Sequence, residues 1–379
     1  MSFKTFVKSG IDKWSSRQCH NTARSFYNNV VRNNPLSGFG QPVDGEEDWL
    51  QKWRKYDEKL SPLAYRIFSK YIGPDMNICP LEVCTLLEMV LTPGHFSSFY
   101  SDKNSLDLIF PSGTLPETYL RNVGGKFLDK NYFSVLHPKV DEHIKSIEAE
   151  KIVLKPTMES SGRGVCIFYR GDDGFENKRG EKLSADFLLK NYKEDFLIQK
   201  AFSQHPFFAQ FNSSSVNTIR IATWRNGEGI IHPLNSIIRI GSRGAEVDNA
   251  HAGGQFVGVS SDGELGKYVC NQYGVIQHTF NDVDFSNQSF VVPNWSEIVS
   301  FVCKLHSKVV HHDLVAWDVA LDEDCCPHII EVNVGGFSGW LFQFTSGPMF
   351  SRYTDELVET AYGRYLNTET KVYFTRKVK

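Results

Sequence analysis

Two short apolar segments near the C-terminus, both carrying polar side chains, constrain the fold more than any other feature. They cover residues 316–321 and 329–334, and a short polar stretch separates them. Two β-strands joined in this way are predicted to pair as an antiparallel hairpin. A turn centred between residues 324 and 325 places Asp318 directly opposite Glu331.

The polar side chains of this hairpin are predicted to lie together on one face. Strand side chains alternate, so Glu331 and Asn333 share a face, with Asp318 opposite them. Like charges in opposed positions destabilise a plain sheet, whereas Mg²⁺ is bound by one or two carboxylates together with phosphate oxygens. Asp318, Glu331 and Asn333 are therefore predicted ligands of Mg²⁺, with Mn²⁺ as an alternative ion. The competing interpretation is an edge hairpin whose acids are solvated or paired with Arg or Lys.

A loop rich in Ser and Gly joins two strand-like segments, residues 152–155 and 165–169. It lacks the GK[ST] ending of a P-loop and is not followed by a helix. Its glycines let backbone N–H groups turn toward an anion. The loop is predicted to close over phosphates, and an ordinary flexible hairpin loop is the alternative. The residues assigned to it are Ser160, Ser161, Gly162, Arg163 and Gly164.

Composition restricts the class of protein. Hydrophobic residues make up 41% of the 379 residues and charged residues 22%, which is typical of globular domains. A net charge of −3 gives no basic field for nucleic acid. No apolar run approaches the roughly 20 residues that a membrane span needs, and the eight cysteines are scattered. A cytoplasmic protein with reduced thiols is expected, with the inner face of the membrane as an alternative location.

The chain is predicted to divide into three regions of about the size of ordinary structural units. Residues 1–98 are predicted to be helical, residues 99–202 alternate short strands with helices, and residues 203–379 contain long strands and the acidic hairpin. The first helix is predicted over Phe3–Trp14. Residues 3–17 form a basic amphipathic pattern that suits an anionic membrane surface, but docking on the protein itself or on a partner is the preferred interpretation.

Taken in order, these features resemble the ATP-grasp superfamily, and most of all its branch associated with sugar transfer and polysaccharide loci. The resemblance covers roughly residues 99–350 and implies an α+β fold in which two α+β lobes clasp ATP, here with a helical N-terminal region. It implies that Lys103 and Lys155 are the two ATP lysines. Gln199 and Lys200 match the hinge beside adenine, and Arg220 matches the arginine that stabilises the transferred phosphoryl group.

Some positions depart from the family pattern. Gln199 and Lys200 stand where many members carry an acid, and Lys130, which follows Asp129, competes with Lys103 for the role of first ATP lysine. The acceptor is predicted to lie near Arg239 and His251. His251 is either a base for an incoming amine or, preferably, a hydrogen-bonding residue.

The resemblance implies an ATP- and Mg²⁺-dependent carboxylate–amine ligase that forms an amide through an acyl phosphate. The expected substrates are a small-molecule or glycan carboxylate, such as a uronic acid of a surface polysaccharide, and an amino acid or other amine. Polysaccharide-assembly enzymes are expected partners. The alternatives are an ATP-grasp kinase acting on a hydroxyl of a sugar-like acceptor and a non-catalytic nucleotide-binding partner of a glycosyltransferase.

Overall fold

A computed structural model describes residues 3–159, 162–245 and 253–367, with side chains from Arg17 to Leu366 within those ranges. The α-helices in chain order, α1 to α12, are Phe3–Asn33, Glu46–Arg54, Leu63–Ile72, Leu81–Leu91, Gly94–Ser101, Leu106–Ile109, Val140–Lys145, Ala185–Asn191, Pro206–Ala209, Trp295–His306, Trp340–Gln343 and Thr354–Asn367. The strands, β1 to β15, are Thr118–Val123, Lys126–Asp129, Lys151–Pro156, Cys166–Gly171, Gly174–Asn177, Phe196–Lys200, Thr218–Arg225, Ile231–Ile240, Gln255–Val259, Val269–Cys270, Ile276–Gln277, Thr279–Phe280, Val283–Asp284, Leu314–Leu321 and Pro327–Asn333.

The N-terminal region is helical, but α1 is longer than expected. It continues past Trp14 to Asn33, because no proline interrupts it before Pro35, which cannot extend a helix. Its C-terminal half buries Cys19, Ala23, Tyr27 and Val30, which recur at helical spacing. The side chains on which a membrane-binding stripe was expected lie outside the described set, apart from Arg17.

The first sheet has six antiparallel strands in the order β2-β1-β6-β3-β4-β5. In β3, Ile152 and Leu154 are buried in the core beneath this sheet, whereas Val153 and Lys155 line a cavity on its other face. This alternation follows from the period of two along a strand. It gives the sheet a helix-covered side and a cavity side.

The second sheet has seven antiparallel strands in the order β11-β10-β9-β8-β7-β14-β15. One face is apolar and packs against α10, with Ile219, Ile221 and Trp317 buried there. The opposite face carries Arg220 and Asp318. Arg220 alternates with Ile219 and Ile221 along β7, so the sheet has a core on one side and a cleft on the other.

The helical region packs on the cleft-bearing face of the second sheet. Trp49 and Phe68 belong to the same buried cluster as Trp224 and Ala316 of that face. Helix α12 completes this cluster with Leu357. The helical region thus shares a core with the second sheet. Within the three described ranges, no helix is both long enough and apolar enough to cross a membrane.

Candidate active site between the two sheets

A cavity of about 430 Å³ separates the two sheets. Strands β3 and β6 form one wall, strands β7, β8, β14 and β15 form the other, and the segment 201–204 connects them. The predicted site residues that line it are Lys103, Lys155, Gly162, Arg163, Gln199, Lys200, Arg239, Asp318 and Glu331. Residues that lie far apart in sequence therefore meet at one place, with lysines on one side and carboxylates on the other.

The predicted pairing of Asp318 with Glu331 is confirmed, but the pairs nearer the turn, from Val319–Ile329 to Leu321–Pro327, lie one residue out of the predicted register. Asp318 lies opposite Glu331 in the β14–β15 pair, and a register shift follows directly after Asp318. On its other side Asp318 lies opposite Arg220 of β7. The second sheet thus places an arginine, an aspartate and a glutamate side by side on the cleft face.

Asp318 is buried and held by two arginines. Arg220 donates from Nε to Oδ1 and from Nη2 to Oδ2, both at 2.8 Å, and Arg239 donates from Nη1 to Oδ2 at 2.9 Å. Burial alone would raise the pKa of Asp318, but the guanidinium groups of Arg220 and Arg239 outweigh it and keep the pKa below its usual value. Asp318 therefore stays ionised although it is only 2% exposed.

Glu331 and Lys103 join the two walls of the cavity. Lys103 Nζ donates to Glu331 Oε1 at 3.0 Å and to the backbone oxygen of Glu159 at 3.1 Å, at the start of the Gly-rich loop. The acidic residues of the hairpin are thus paired with lysine and arginine, as the competing interpretation of the hairpin expected. Crowding of like charges by itself therefore does not require a metal here.

Lys155 lies at the end of β3 and faces the same cavity. Burial, followed by the nearby charge of Lys103, lowers the pKa of Lys155 to about 7, and Glu331 acts in the opposite direction. A lysine with its pKa near 7 becomes fully protonated when an anion binds beside it. This property suits a phosphate-binding role.

The Gly-rich loop is described in part, since Ser160 and Ser161 lie outside the described residues. Gly162 and Gly164 have φ values of 67° and 73°, in the left-handed region that glycine tolerates. A Cβ at Gly164 would lie 2.8 Å from Cγ of Pro156. The Tyr192 hydroxyl donates to the Gly164 backbone oxygen at 2.7 Å and fixes this end of the loop.

The predicted hinge is a central strand of the first sheet. Strand β6 pairs with β1 on one side and β3 on the other, which occupies much of the backbone of residues 197–200. The side chain of Gln199 donates to Thr118 Oγ1 at 3.0 Å. Sequence reasoning missed residues 201–204, which leave the sheet and line the cavity. The signal that could have indicated them is their position directly after the predicted hinge strand.

Some predicted positions among the described residues do not line the cavity, namely Lys130, Gly164, Arg220 and Asn333. Lys130, the competitor of Lys103, is 59% exposed and pairs with Glu117 at 3.2 Å. Of these two lysines, Lys103 lines the cavity and Lys130 does not. His251 lies outside the described residues.

A sequence model of the family described as "Sugar-transfer associated ATP-grasp" matches residues 114–355, more than half of the chain. The chain belongs to this family. The expected resemblance to the sugar-transfer branch of the ATP-grasp enzymes is therefore confirmed, and so is the fold class of two α+β lobes with a helical N-terminal region. No sequence among the curated proteins matches the chain.

Solved ATP-grasp structures have a distant likeness to this chain. A biotin carboxylase–ATP complex from Campylobacter jejuni is 11% identical, with a TM-score of 0.41, over 73% of this chain and 48% of that one. The D-alanine–D-alanine ligase of Coxiella burnetii is 9% identical, with a TM-score of 0.38, over 71% and 59%. The L-amino acid ligase of Bacillus licheniformis is 13% identical, with a TM-score of 0.37, over 82% and 59%. The chain spans about half the length of the solved chains that it matches.

The oxygen-rich hairpin of this ATP-grasp protein fits a hard divalent cation. Two carboxylates, Asp318 and Glu331, face one cavity, and Asn333 lies close enough to Asp318 to lower its pKa. The buried Nδ2 of Asn333 nevertheless has no hydrogen bond of normal geometry within the described ranges. Such a donor set suits Mg²⁺ when phosphate oxygens complete the coordination. Among the described residues, no cluster of three or more His, Cys, Asp or Glu side chains offers another metal site.

Proposed function

We propose that this protein is an ATP- and Mg²⁺-dependent carboxylate–amine ligase that forms an amide through an acyl phosphate. One observation carries the proposal. A single cavity has Lys103 and Lys155 on one wall. Arg239, Asp318 and Glu331 line the other wall, and Arg220 pairs with Asp318 from the neighbouring strand. A triphosphate needs cations along its length and a metal at its reacting end. This cavity has lysines that suit the first need and carboxylates that suit the second.

The chain's own residues would bind and orient the nucleotide. Lys155 would contact the α-phosphate, and the loop ending at Gly164 would cover the β- and γ-phosphates with backbone N–H groups. Gln199, Lys200 and the segment 201–204 would form the wall beside adenine. Asp318, Glu331 and Asn333 would hold Mg²⁺ or Mn²⁺, which supplies charge neutralisation between phosphate oxygens when bound.

The proposed reaction has two steps. A carboxylate oxygen of the first substrate attacks the γ-phosphorus, and the bond to the ADP oxygen breaks. An amine then attacks the acyl carbon, inorganic phosphate leaves, and the amine loses a proton. Arg220 and Arg239 would stabilise the negative charge of the transferred group. Closure of the Gly-rich loop would exclude the water that hydrolyses an acyl phosphate.

The substrate class is proposed from the family and the charges near the site. Membership of a sugar-transfer associated family favours a sugar acid, such as a uronic acid, as the carboxylate. Arg239 at the cavity edge suits such an anion. The proposal places the activity in surface polysaccharide biosynthesis, next to polysaccharide-assembly enzymes on the cytoplasmic side of the membrane. His251 would hydrogen-bond the acceptor or accept the proton of the amine.

The test combines Mg-ATP with a panel of uronic acids and amino acids and follows ADP, AMP and phosphate. Release of ADP and phosphate only when acid and amine are both present supports the ligase, and hydroxylamine in place of the amine should trap a hydroxamate. ADP without phosphate, together with a phosphorylated acceptor, indicates the kinase. Release of AMP contradicts the proposed chemistry. ATP binding without turnover across the panel supports the non-catalytic alternative.

Matched variants test the metal assignment in the same assay. Glu331→Gln should abolish Mg²⁺-dependent turnover, whereas Glu117→Gln, at an exposed acid paired with Lys130, should leave it unchanged. ATP turnover that survives Glu331→Gln would show that the metal is held elsewhere.

A further inference from the structure

The segment that follows Asn333 is anchored by a glutamate of the helical region. Glu88 lies on α4, more than two hundred residues before this segment, outside the part of the chain that matches the family. The backbone N–H of Phe337 donates to Glu88 Oε1, and the N–H of Gly336 also interacts with the same carboxylate. Two successive amides thus converge on one side chain.

Glu88 is a largely buried carboxylate that is held by backbone amides. No Lys, Arg or His side chain among the described residues pairs with Glu88, so backbone amides are its polar partners. Burial raises the pKa of Glu88, and hydrogen bonds from Phe337 and Gly336 oppose that effect. A partly buried carboxylate without a cation is costly to keep in a fold. Its presence indicates a role that an apolar residue would not fulfil.

The segment is also fixed on its other side. Phe337 is 2% exposed, and its ring stacks on Phe350 at 5.9 Å between centroids. Ser97 of α5 donates to the backbone oxygen of Val334, the residue directly after Asn333. The helical region therefore contacts the chain at both ends of the short stretch between the metal-binding strand and Phe337.

We propose that Glu88 is a positioning residue of the metal site. By holding the amides of Gly336 and Phe337, it fixes where β15 ends and so where Asn333 and Glu331 present their oxygens. The helical region is then part of the catalytic unit rather than an appended domain. This inference rests on the proposed metal site at Asp318, Glu331 and Asn333, to which Glu88 stands as an outer partner that orients the ligands.

The test compares Glu88→Gln with Glu82→Gln. Glu82 lies on the same helix, is buried, has a raised pKa, and accepts a hydrogen bond from Tyr27 Oη at 3.1 Å, but it does not contact the segment after Asn333. In Glu88→Gln one amide oxygen replaces two carboxylate oxygens, and the new NH₂ group faces a backbone donor. The readouts are thermal unfolding and the affinity for Mn²⁺ in the presence of a non-hydrolysable ATP analogue, measured by electron paramagnetic resonance.

Loss of a group bonded directly to a metal ligand typically weakens metal binding about 10- to 100-fold, and Glu88, which acts through the backbone at Gly336 and Phe337, should produce a loss at the lower end of that range. We expect this loss in Glu88→Gln and not in Glu82→Gln. If Glu331→Gln weakens Mn²⁺ binding while Glu88→Gln behaves like Glu82→Gln, the positioning role is wrong and the metal site stands. If Glu331→Gln leaves Mn²⁺ binding unchanged, the proposed metal site fails, and the inference fails with it. Should Glu88→Gln unfold, Glu88→Asp takes its place, because it keeps the charge but is one methylene shorter.

Discussion

Arg220 and Asp318 lie directly opposite each other in neighbouring strands and form a two-point ion pair, with Nε–Oδ1 and Nη2–Oδ2 distances of 2.8 Å. Both side chains are almost fully buried, at 9% and 2% exposure. The pair connects β7 to β14 at the place where the cleft face changes from apolar to charged. It supports the fold and the proposed site together.

Removing one member of this pair should destabilise the protein strongly. Arg220→Met leaves Asp318 with one arginine in a buried place, and breaking such a pair typically costs about 3–5 kcal/mol. Urea denaturation measures the free energy of unfolding. Arg243→Met is the control, since Arg243 and its partner Asp282 are 69% and 81% exposed and such surface pairs contribute little. Equal losses in the two variants would contradict a structural role for the buried pair.

Nucleotide binding should take up a proton at Lys155. The pKa of Lys155 is about 7 in the free protein, so the side chain is charged below pH 7 and mostly neutral above it. An anionic phosphate favours the charged form, so proton uptake should grow from pH 6 to pH 8.5 while ATP affinity falls, by at most about tenfold per pH unit. Calorimetry with a non-hydrolysable ATP analogue in buffers of different ionisation enthalpy measures the uptake. Lys155→Arg, which remains charged throughout, should abolish it.

A comparison of two lysines tests which one binds the nucleotide. Lys103→Met should weaken ATP binding at least about tenfold, because a contact to a charged group is worth about 1.5–3 kcal/mol. Lys130→Met should leave ATP binding unchanged, since Lys130 pairs with exposed Glu117 away from the cavity. Equilibrium binding of a fluorescent ATP analogue distinguishes them. The reverse order of effects would assign the role to Lys130.

Alanine substitutions at Gly164, in the Gly-rich loop, and at Gly180, between β5 and α8, distinguish the effect of backbone strain from that of steric crowding. Gly164 and Gly180 have φ values of 73° and 74°, so alanine at either position should cost about 1–2 kcal/mol. Only at Gly164 would the new Cβ meet Pro156, at 2.8 Å from its Cγ, whereas no atom lies within 4 Å at Gly180. Pro156 follows Lys155, so Gly164→Ala should also weaken ATP binding. Loss of ATP binding in Gly180→Ala as well would show that the strain alone is responsible.

The sequence by itself predicted the features that depend on neighbours along the chain. Strand alternation and the position of one turn predicted the pairing of Asp318 with Glu331, which the structure has, but not the register shift directly after Asp318. The strand-like segment 152–155 predicted from the sequence is β3, and the period of two along it puts Lys155 on the cavity side and Leu154 in the core. These features are local, because the hydrogen-bonding geometry of a strand or hairpin fixes them within a few residues.

Only the tertiary structure decided which distant groups meet these residues. Asp318 is neutralised by Arg220 and Arg239, which precede it in the chain by 98 and 79 residues. Strand order in a sheet is set by packing of the whole core, and the local pattern does not specify it. For the same reason no local pattern indicated that Glu88 holds the amides of Gly336 and Phe337. Local periodicity thus determined which side chains share a face, and the packing of the helical region and two sheets determined their partners.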